Sequence, residues 1–390
     1  MLNNLHIKNF RLLEDLEIPK LGRVNLIVGK NNSGKSTVLE ALRLYAGKAN
    51  SNLLREILLG HDESVNLDGD SVNESIEGSW FSLKNLFFNR EFPKTSDDSI
   101  GMYSDKKELL KIEFLLYTIN EEPELNENGE LLGLIRKRTI VNPLAINDSD
   151  DSSEIIPAVR ITQESGRTNW IDLPSGFRRP SMASRNFEDS STVNCSYVST
   201  EFSSPDTLAK LWDNIALKSE HEDAVYSALR IVDSNVERLT FIEDRSKFSN
   251  RDVSRLCIVK MKDFDNRIPL NSMGDGMSRI LQLILSVFPA KDGILLIDEF
   301  ENGLHFSVQE EVWRIIFKLA KELNIQVFAT THSWDCIESF TKIAVENKKE
   351  DGVLLKVSRS KQVSDKGKVI ATVYDEAELQ RITASDLEVR

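Results

Sequence analysis

The sequence predicts an α/β protein whose core is a mainly parallel β-sheet covered by helices on both faces. In the C-terminal part, apolar strand patterns at 293–297, 326–330 and 353–358 alternate with helical patterns. Near the N-terminus, the apolar run Val24–Val28 leads into a glycine-containing loop and then a helix. Apolar strands that are separated by helices are typical of parallel sheets buried on both faces.

The predicted elements are as follows in chain order. Strands are predicted at 2–10, 16–18, 24–28, 110–119, 134–141, 155–162, 193–202, 236–242, 254–261, 293–297, 326–330, 353–358 and 369–373. Helices are predicted at 38–46, 206–218, 222–232, 277–288, 308–323, 335–345 and 375–382. Acidic, turn-rich loops are predicted at 62–79, 121–130 and 147–154. Residues 1–50 and 268–358 are thus predicted to form one split domain, with 51–267 as an insertion and 359–390 as a C-terminal segment.

Composition excludes several classes of protein. The 390 residues include 62 acidic and 49 basic ones, and a net charge of −13 does not attract nucleic acid through its overall field. No run approaches the roughly 18–20 apolar residues that cross a bilayer, and the N-terminus has no signal-peptide pattern, so no membrane partner is expected. The three cysteines, Cys195, Cys257 and Cys336, are far apart, which predicts a reduced cytoplasmic protein without a structural metal.

The loop after the strand Val24–Val28 fits the phosphate-binding pattern G-x-x-x-x-G-K-[ST]. Its two glycines permit backbone conformations that point N–H groups at phosphate oxygens. Lys35 is expected to reach the β- and γ-phosphates, and the Ser36 hydroxyl is expected to bind Mg²⁺. The candidate nucleotide-binding residues of this loop are Gly29, Asn31, Asn32, Ser33, Gly34, Lys35, Ser36 and Thr37.

Two further strands end in polar side chains, where parallel sheets place their ligands. Asp298 and Glu299 follow the strand at 293–297, and His332 follows the next strand. Asp298 is predicted to join Ser36 as a Mg²⁺ ligand, and Glu299 is predicted to be the catalytic residue that polarises the attacking water. His332 is predicted to donate a hydrogen bond to the γ-phosphate. Taken singly, each is also compatible with a solvated strand end or a structural histidine.

A second anion site is predicted at 272–276, where Ser272, Gly274 and Gly276 precede an apolar helix. Small residues at a helix N-terminus leave backbone N–H groups free to bind an anion. Taken alone, this pattern is equally that of an ordinary glycine-rich helix start.

In this order, the four motifs resemble those of the ABC-type ATPase head shared by SMC proteins and the OLD family, a P-loop NTPase fold. The segments 7–11 and 28–37 share that resemblance, as does the loop at 301–305, which faces the partner subunit in this class. The closer resemblance is to stand-alone, OLD-like AAA-family ATPases of bacteria, several of which serve antiphage defence. The resemblance implies ATP and Mg²⁺ as cofactors. It also implies ATP held between two copies, by Lys35 and Ser36 of one and Ser272 and Gly274 of the other.

The sequence departs from the family at two points. The loop Ser-Met-Gly-Asp-Gly replaces the transporter form Leu-Ser-Gly-Gly-Gln, which counts against a transporter subunit. No glutamine can be assigned to the Gln loop, since Gln163 lacks a supporting neighbourhood.

We therefore expect an ATP-hydrolysing switch that controls a separate effector in antiphage defence, with a nuclease as one candidate effector. Beyond residue 358 only one strand and one helix are predicted, so no effector chemistry is expected in the chain itself. One alternative is an SMC-like, DNA-engaging repair ATPase, although heptad arms are missing and the basic segment 342–368 is modest. The other alternative is a self-contained metal-dependent nuclease that uses Asp148 and Asp150. These two residues are better interpreted as solvated acids of a loop.

Overall fold

The computed structural model describes residues 1–63, 82–93, 95–125, 131–141, 155–173, 193–216, 219–243, 255–262, 267–347, 352–365, 367–374, 378 and 381. The strands are β1 (Leu5–Phe10), β2 (Leu13–Ile18), β3 (Val24–Val28), β4 (Ile100–Ser104), β5 (Lys107–Leu125), β6 (Leu131–Val141), β7 (Ile156–Gln163), β8 (Thr168–Asp172), β9 (Cys195–Val198), β10 (Val236–Glu243), β11 (Arg255–Met261), β12 (Ile268–Pro269), β13 (Ile294–Ile297), β14 (Gln326–Thr331), β15 (Gly352–Arg359) and β16 (Val369–Tyr374). The helices are α1 (Lys35–Ala46), α2 (Ser51–Leu59), α3 (Pro205–Asp213), α4 (Ser219–Val232), α5 (Asp275–Val287), α6 (Phe306–Glu322) and α7 (Trp334–Glu346). Within these ranges, no helix is long and apolar enough to cross a membrane.

The first of two compact units comprises Met1–Leu5, Glu17–Ala46 and Val193–Arg390. Its main sheet has the order β16-β15-β3-β14-β13-β9, and every neighbouring pair is parallel except β15 and β16. The register places Val28 opposite Thr331, and Ile297 opposite both Ala329 and Val198. The carboxyl ends of β3, β14, β13 and β9 therefore meet at one edge of the sheet.

Burial explains why these strands are mainly apolar. Every residue of β3, β13 and β14 is buried, and α5 is buried along almost its whole length. The ring of Phe300 stacks on Trp313 of α6 with centroids 3.7 Å apart, which fixes the segment after β13 against that helix. A smaller antiparallel sheet, β10-β11-β12, belongs to the same unit.

The second unit comprises His6–Leu16 and Gly47–Thr192. Its seven-stranded sheet has the order β2-β1-β4-β5-β7-β8, and β6 pairs with β5. On this sheet the buried carboxylate of Glu113 is paired with both Lys111 (2.9 Å) and Arg160 (2.8 Å). Two cations for one buried acid satisfy both of its oxygens, so this ion cluster is compatible with a packed sheet face.

The structure confirms the α/β fold and most of the predicted elements, and it corrects several bounds. Strand β5 continues to Leu125 across the start of the loop predicted at 121–130, and α2, β4 and β8 were not predicted. The predicted helix at 206–218 ends at Asp213, and the strand predicted at 193–202 is limited to Cys195–Val198. The loop at 147–154, most of that at 62–79 and most of the helix at 375–382 lie outside the described residues.

The predicted insertion 51–267 also differs from the division in the structure, where the first unit resumes at Val193. The reason is β9, which pairs in parallel with β13 and completes the main sheet. Its Tyr197 ring lies 4.1 Å from the guanidinium of Arg43 on α1, which adds a cation–π contact within the same unit. A four-residue strand that pairs only with a distant segment gives little local signal of this position.

The contact between β9 and β13 can be tested with Gly293→Ala. A Cβ at Gly293 would lie 1.9 Å from the backbone oxygen of Asn194, which Ile294 N–H also binds at 2.7 Å. We expect the thermal midpoint to fall and the free energy of unfolding to drop by about 2 kcal/mol or more. Gly60→Ala is the control, since Gly60 has helical dihedrals and room for a Cβ, so it should be neutral or stabilising by up to about 1 kcal/mol. A wild-type midpoint for Gly293→Ala would contradict the placement of β9.

Candidate functional site

The loop between β3 and α1 has the backbone geometry of a phosphate cradle. Gly34 has φ +107° and Asn32 φ +59°, both in the left-handed region. A Cβ at Gly29 would lie 2.2 Å from the backbone oxygen of Val357, so no larger residue fits there. The hydroxyl of Ser33 is buried and lacks a hydrogen-bond partner among the described residues. An orphaned donor at the start of a helix fits an anion held by this loop.

Lys35 lies inside the loop with only 8% of its surface exposed. Its Nζ donates to the backbone oxygens of Gly29 at 2.8 Å and Lys30 at 3.2 Å. Burial lowers the pKa of Lys35, and the negative charges of Asp298, Glu299 and Glu301 act in the opposite direction. The ammonium group is therefore held where a phosphate can replace the carbonyl oxygens as its hydrogen-bond acceptor.

Asp298 joins two segments of the site through one carboxylate oxygen. Its Oδ1 accepts a hydrogen bond from Ser36 Oγ at 3.1 Å and another from Thr330 Oγ1 at 2.6 Å. Oxygen ligands are those that Mg²⁺ prefers, and Mg²⁺ sites use one or two carboxylates with substrate phosphates and water. Ser36 and Asp298 therefore fit a Mg²⁺ site beside the phosphate loop.

Glu299 has a backbone conformation that is unusual for a residue with a side chain. Its φ is +47°, in the left-handed region, and its N–H donates to Thr330 Oγ1 at 2.8 Å. Its side chain is 39% exposed, and its Oε1 lies 3.7 Å from Nδ1 of His332. The carboxylate is thus held at the edge of the sheet while remaining accessible to water.

Glu301 fixes the position of His332. Its Oε1 lies 3.1 Å from His332 Nδ1 and accepts backbone hydrogen bonds from His332 at 2.9 Å and Ser333 at 3.1 Å. The carboxylate lies at Nδ1, which leaves Nε2 as the ring nitrogen that can contact a ligand.

A cavity of about 510 Å³, in the size range of small-ligand sites, lies beside the phosphate loop. Its lining residues are Val28, Gly29, Lys30, Asn31, Thr331, His332 and Ile337. The loop and His332 thus border one cavity, and Ser36 after the loop is hydrogen-bonded to Asp298. The nucleotide, metal and catalytic roles of these residues stay predictions.

Ser272 and Gly274 are exposed on the segment that precedes α5, and Gly276 lies in the first turn of that helix. Gly274 has φ +91° and immediately precedes α5. A Cβ at Gly276 would lie 3.3 Å from the backbone oxygen of Gly303, so this loop packs against the loop at 301–305. The predicted second anion site is thus a surface feature beside that loop.

Residues 24–335 match the model of a protein family described as "AAA domain, putative AbiEii toxin, Type IV TA system", which is well over half of the chain. The chain belongs to this family. It is an ATPase of the AAA type, and the resemblance to OLD-like ABC-type ATPases is confirmed.

Individual relatives span different amounts of this AAA-family ATPase. An "ATP/GTP phosphatase" of Helicobacter pylori is 23% identical over 373 residues, covering 89% of each chain. An "OLD nuclease" of Thermus scotoductus is 51% identical over 47 residues, which are 12% of this chain and 9% of that protein. Among solved structures, an SMC head bound to the C-winged helix domain of ScpA has 13% identity and a TM-score of 0.48, covering 97% of this chain and 99% of that one.

Two residues of the AAA-family site were not predicted from the sequence. Thr330 is fully buried and bridges Asp298 and Glu299, and Glu301 positions His332. The signal for Thr330 was available, since a hydroxyl inside an otherwise apolar strand needs a partner when it is buried. No sequence pattern predicted the role of Glu301, because its contact with His332 joins segments that follow two different strands.

We expect Thr330→Val to slow ATP hydrolysis about tenfold or more, while ATP affinity stays within about twofold. Valine has nearly the same shape but leaves the Glu299 N–H without its acceptor and removes one donor from Asp298. Thr330→Ser keeps the hydroxyl and is the matched control, with turnover close to wild type. Steady-state phosphate release and calorimetric ATP titration measure the two quantities. Full turnover by Thr330→Val would show that the bridging hydroxyl is dispensable.

Proposed function

We propose that this AAA-family ATPase is a switch in which ATP and Mg²⁺ bind at the phosphate loop and a second copy closes over the nucleotide. Hydrolysis then separates the copies, and the nucleotide state controls a separate effector. The observation that carries the proposal is the joining of Ser36, Asp298 and Thr330 beside Glu299, while the loop of Ser272 lies exposed elsewhere.

Each residue of the site has a role that follows from its contacts. Lys35 supplies positive charge to the β- and γ-phosphates, and the N-terminus of α1 supplies backbone N–H groups. Ser36 and Asp298 would hold Mg²⁺, which would neutralise phosphate charge when bound. Glu299 accepts a hydrogen bond from the attacking water and aligns it.

His332 contacts the terminal phosphate through Nε2. Glu301 Oε1 and Glu299 Oε1 lie 3.1 Å and 3.7 Å from Nδ1, so both carboxylates are near that ring nitrogen. A phosphate oxygen only accepts hydrogen bonds, so Nε2 would act as the donor to it.

Pairing of two copies is supported by the surface around Ser272. This loop leads into the N-terminus of α5, which is a suitable place for an anion. In the proposed pair, that anion is the phosphate group of the ATP bound to the other copy. Two exposed aromatic side chains flank the neighbouring loops, Phe202 (44% exposed) and Phe306 (61% exposed). Exposed aromatics of this size are enriched at protein interfaces.

Control of an effector rests on the expected nucleotide-dependent pairing, whereas the family's description names only a putative toxin of a type IV toxin–antitoxin system. ATP can control a partner only if that partner binds one nucleotide state better than the other. The DNA-engaging alternative gains little from the basic segment 342–368, where Lys342 is paired with Glu310 at 2.8 Å. Asp148 and Asp150, on which the nuclease alternative rests, lie outside the described residues.

We expect Lys35→Ala to abolish ATP binding and Glu299→Gln to retain binding while slowing hydrolysis to a small residual rate. The first removes the positive partner of the phosphates, and the second keeps the side-chain shape but aligns and polarises water poorly. Matched controls are Lys318→Ala and Glu311→Gln, both exposed on α6, which should behave as wild type. Calorimetric titration and phosphate release give the two readouts. Wild-type hydrolysis by Glu299→Gln would remove the proposed catalytic residue.

We expect the Glu299→Gln protein to double its mass when ATP and Mg²⁺ are added, as measured by light scattering. Adding Ser272→Arg should prevent this association by overfilling the interface, while ATP binding to the separate subunit persists. Ser227→Arg on the exposed face of α4 is the matched control and should pair normally. A mass that never rises with ATP, or pairing that survives Ser272→Arg, would contradict the sandwich arrangement.

A further inference from the structure

Arg279 is a fully buried cation on α5, a helix whose buried residues are mainly apolar. Its NH1 donates to the backbone oxygen of Ser199 at 2.7 Å, where β9 has just ended. Its NH2 donates to the backbone oxygens of Asp298 and Glu299, both at 2.9 Å, where β13 has just ended. One guanidinium group therefore ties together the chain segments that follow two neighbouring strands.

Burying this charge costs free energy, so we infer that Arg279 has a role beyond packing. Burial lowers the pKa of Arg279 to about 10, although Glu301, Asp298 and Glu299 raise it, so the group is charged at neutral pH. Its direct acceptors are three backbone oxygens and Gln282 Oε1, none of which is a carboxylate. An apolar side chain of similar volume avoids the desolvation cost of a charge.

The contacts of Arg279 coincide with the strained position of the site. Glu299 has φ +47°, which costs energy in a residue with a side chain and persists only where neighbouring groups hold it. Thr330 accepts the N–H of Glu299, and Arg279 donates to the backbone oxygens on either side of that φ angle. Together they fix the backbone of Glu299 from both sides.

We propose that Arg279 is a positioning residue for hydrolysis, which holds the Glu299 backbone so that the carboxylate faces the attacking water. The planar, forked guanidinium group of arginine is needed because one side chain must donate to oxygens on two different segments at once. The proposal rests on the catalytic role of Glu299 proposed above, and it adds a residue that touches neither nucleotide nor metal.

The first test is Arg279→Lys, which keeps the charge but loses the fork. We expect turnover to fall about tenfold or more while ATP affinity stays within about twofold. Gln326→Met is the matched control, because Gln326 is another buried polar side chain with three backbone hydrogen bonds, to Leu2 and Gly22. It lies at the opposite, amino end of β14, so it should lower the thermal midpoint without lowering turnover. Wild-type turnover by Arg279→Lys would overturn the proposal.

The second test combines Arg279→Lys with Glu299→Gln. If Arg279 acts through Glu299, the double variant should hydrolyse ATP within about twofold of Glu299→Gln alone. Losses that multiply in the double variant would show an independent effect and overturn the proposal. Full turnover by Glu299→Gln alone would instead refute the proposed function, so the two failures are distinguishable.

Arg279→Met repeats both measurements with a side chain that keeps an apolar stem and carries no charge. A loss of turnover without a loss of ATP affinity supports the positioning role, provided that the variant causes no further loss in the Glu299→Gln background. If both Arg279 variants lose ATP binding together with their fold, Arg279 serves stability alone and the proposal fails.

Discussion

The site depends on one carboxylate oxygen, Oδ1 of Asp298, which accepts hydrogen bonds from Ser36 and Thr330. Hydrogen bonds to an ionised acceptor are shorter and stronger than neutral ones, so this atom firmly joins the helix after the phosphate loop to two neighbouring strands. The parallel register of β3, β14 and β13 makes that meeting possible, since it brings their carboxyl ends to one edge. The same Thr330 hydroxyl also accepts the Glu299 N–H, which links the proposed metal ligand Asp298 to the proposed catalytic carboxylate of Glu299.

Charge balance constrains the site as strongly as hydrogen bonding does. Asp298, Glu299 and Glu301 place three carboxylates around the positions where phosphates would bind, and in the part of the chain that the structure describes Lys35 and Arg279 are the buried cations beside them. A polyphosphate entering such a site needs added positive charge, which is the physical reason for expecting Mg²⁺ with the nucleotide. Arg279 donates its hydrogen bonds to backbone oxygens, and its positive charge lies near the three carboxylates. Lys35 therefore remains available to bind the phosphates.

Sequence reasoning succeeded where local pattern and burial agree. Strands β3, β13 and β14 are apolar because both faces of the sheet are covered, and the glycines of the phosphate loop are required by its backbone. It failed where contacts join distant segments. Strand β9 was assigned to the insertion because four mixed residues do not reveal a partner about a hundred positions away. Arg279 was not singled out from the sequence, because only the packed structure shows which oxygens it binds.

The central claim is that the Ser36 hydroxyl and Asp298 hold the metal that hydrolysis requires. The most direct measurement is phosphate release by a Ser36→Cys variant in Mg²⁺ and in Mn²⁺. Sulfur is a poor ligand for Mg²⁺ and a better one for the softer ion, so the account predicts that turnover is lost in Mg²⁺ and substantially restored in Mn²⁺. Wild-type turnover of Ser36→Cys in Mg²⁺, or equal turnover in both metals, would contradict a metal bound by Ser36.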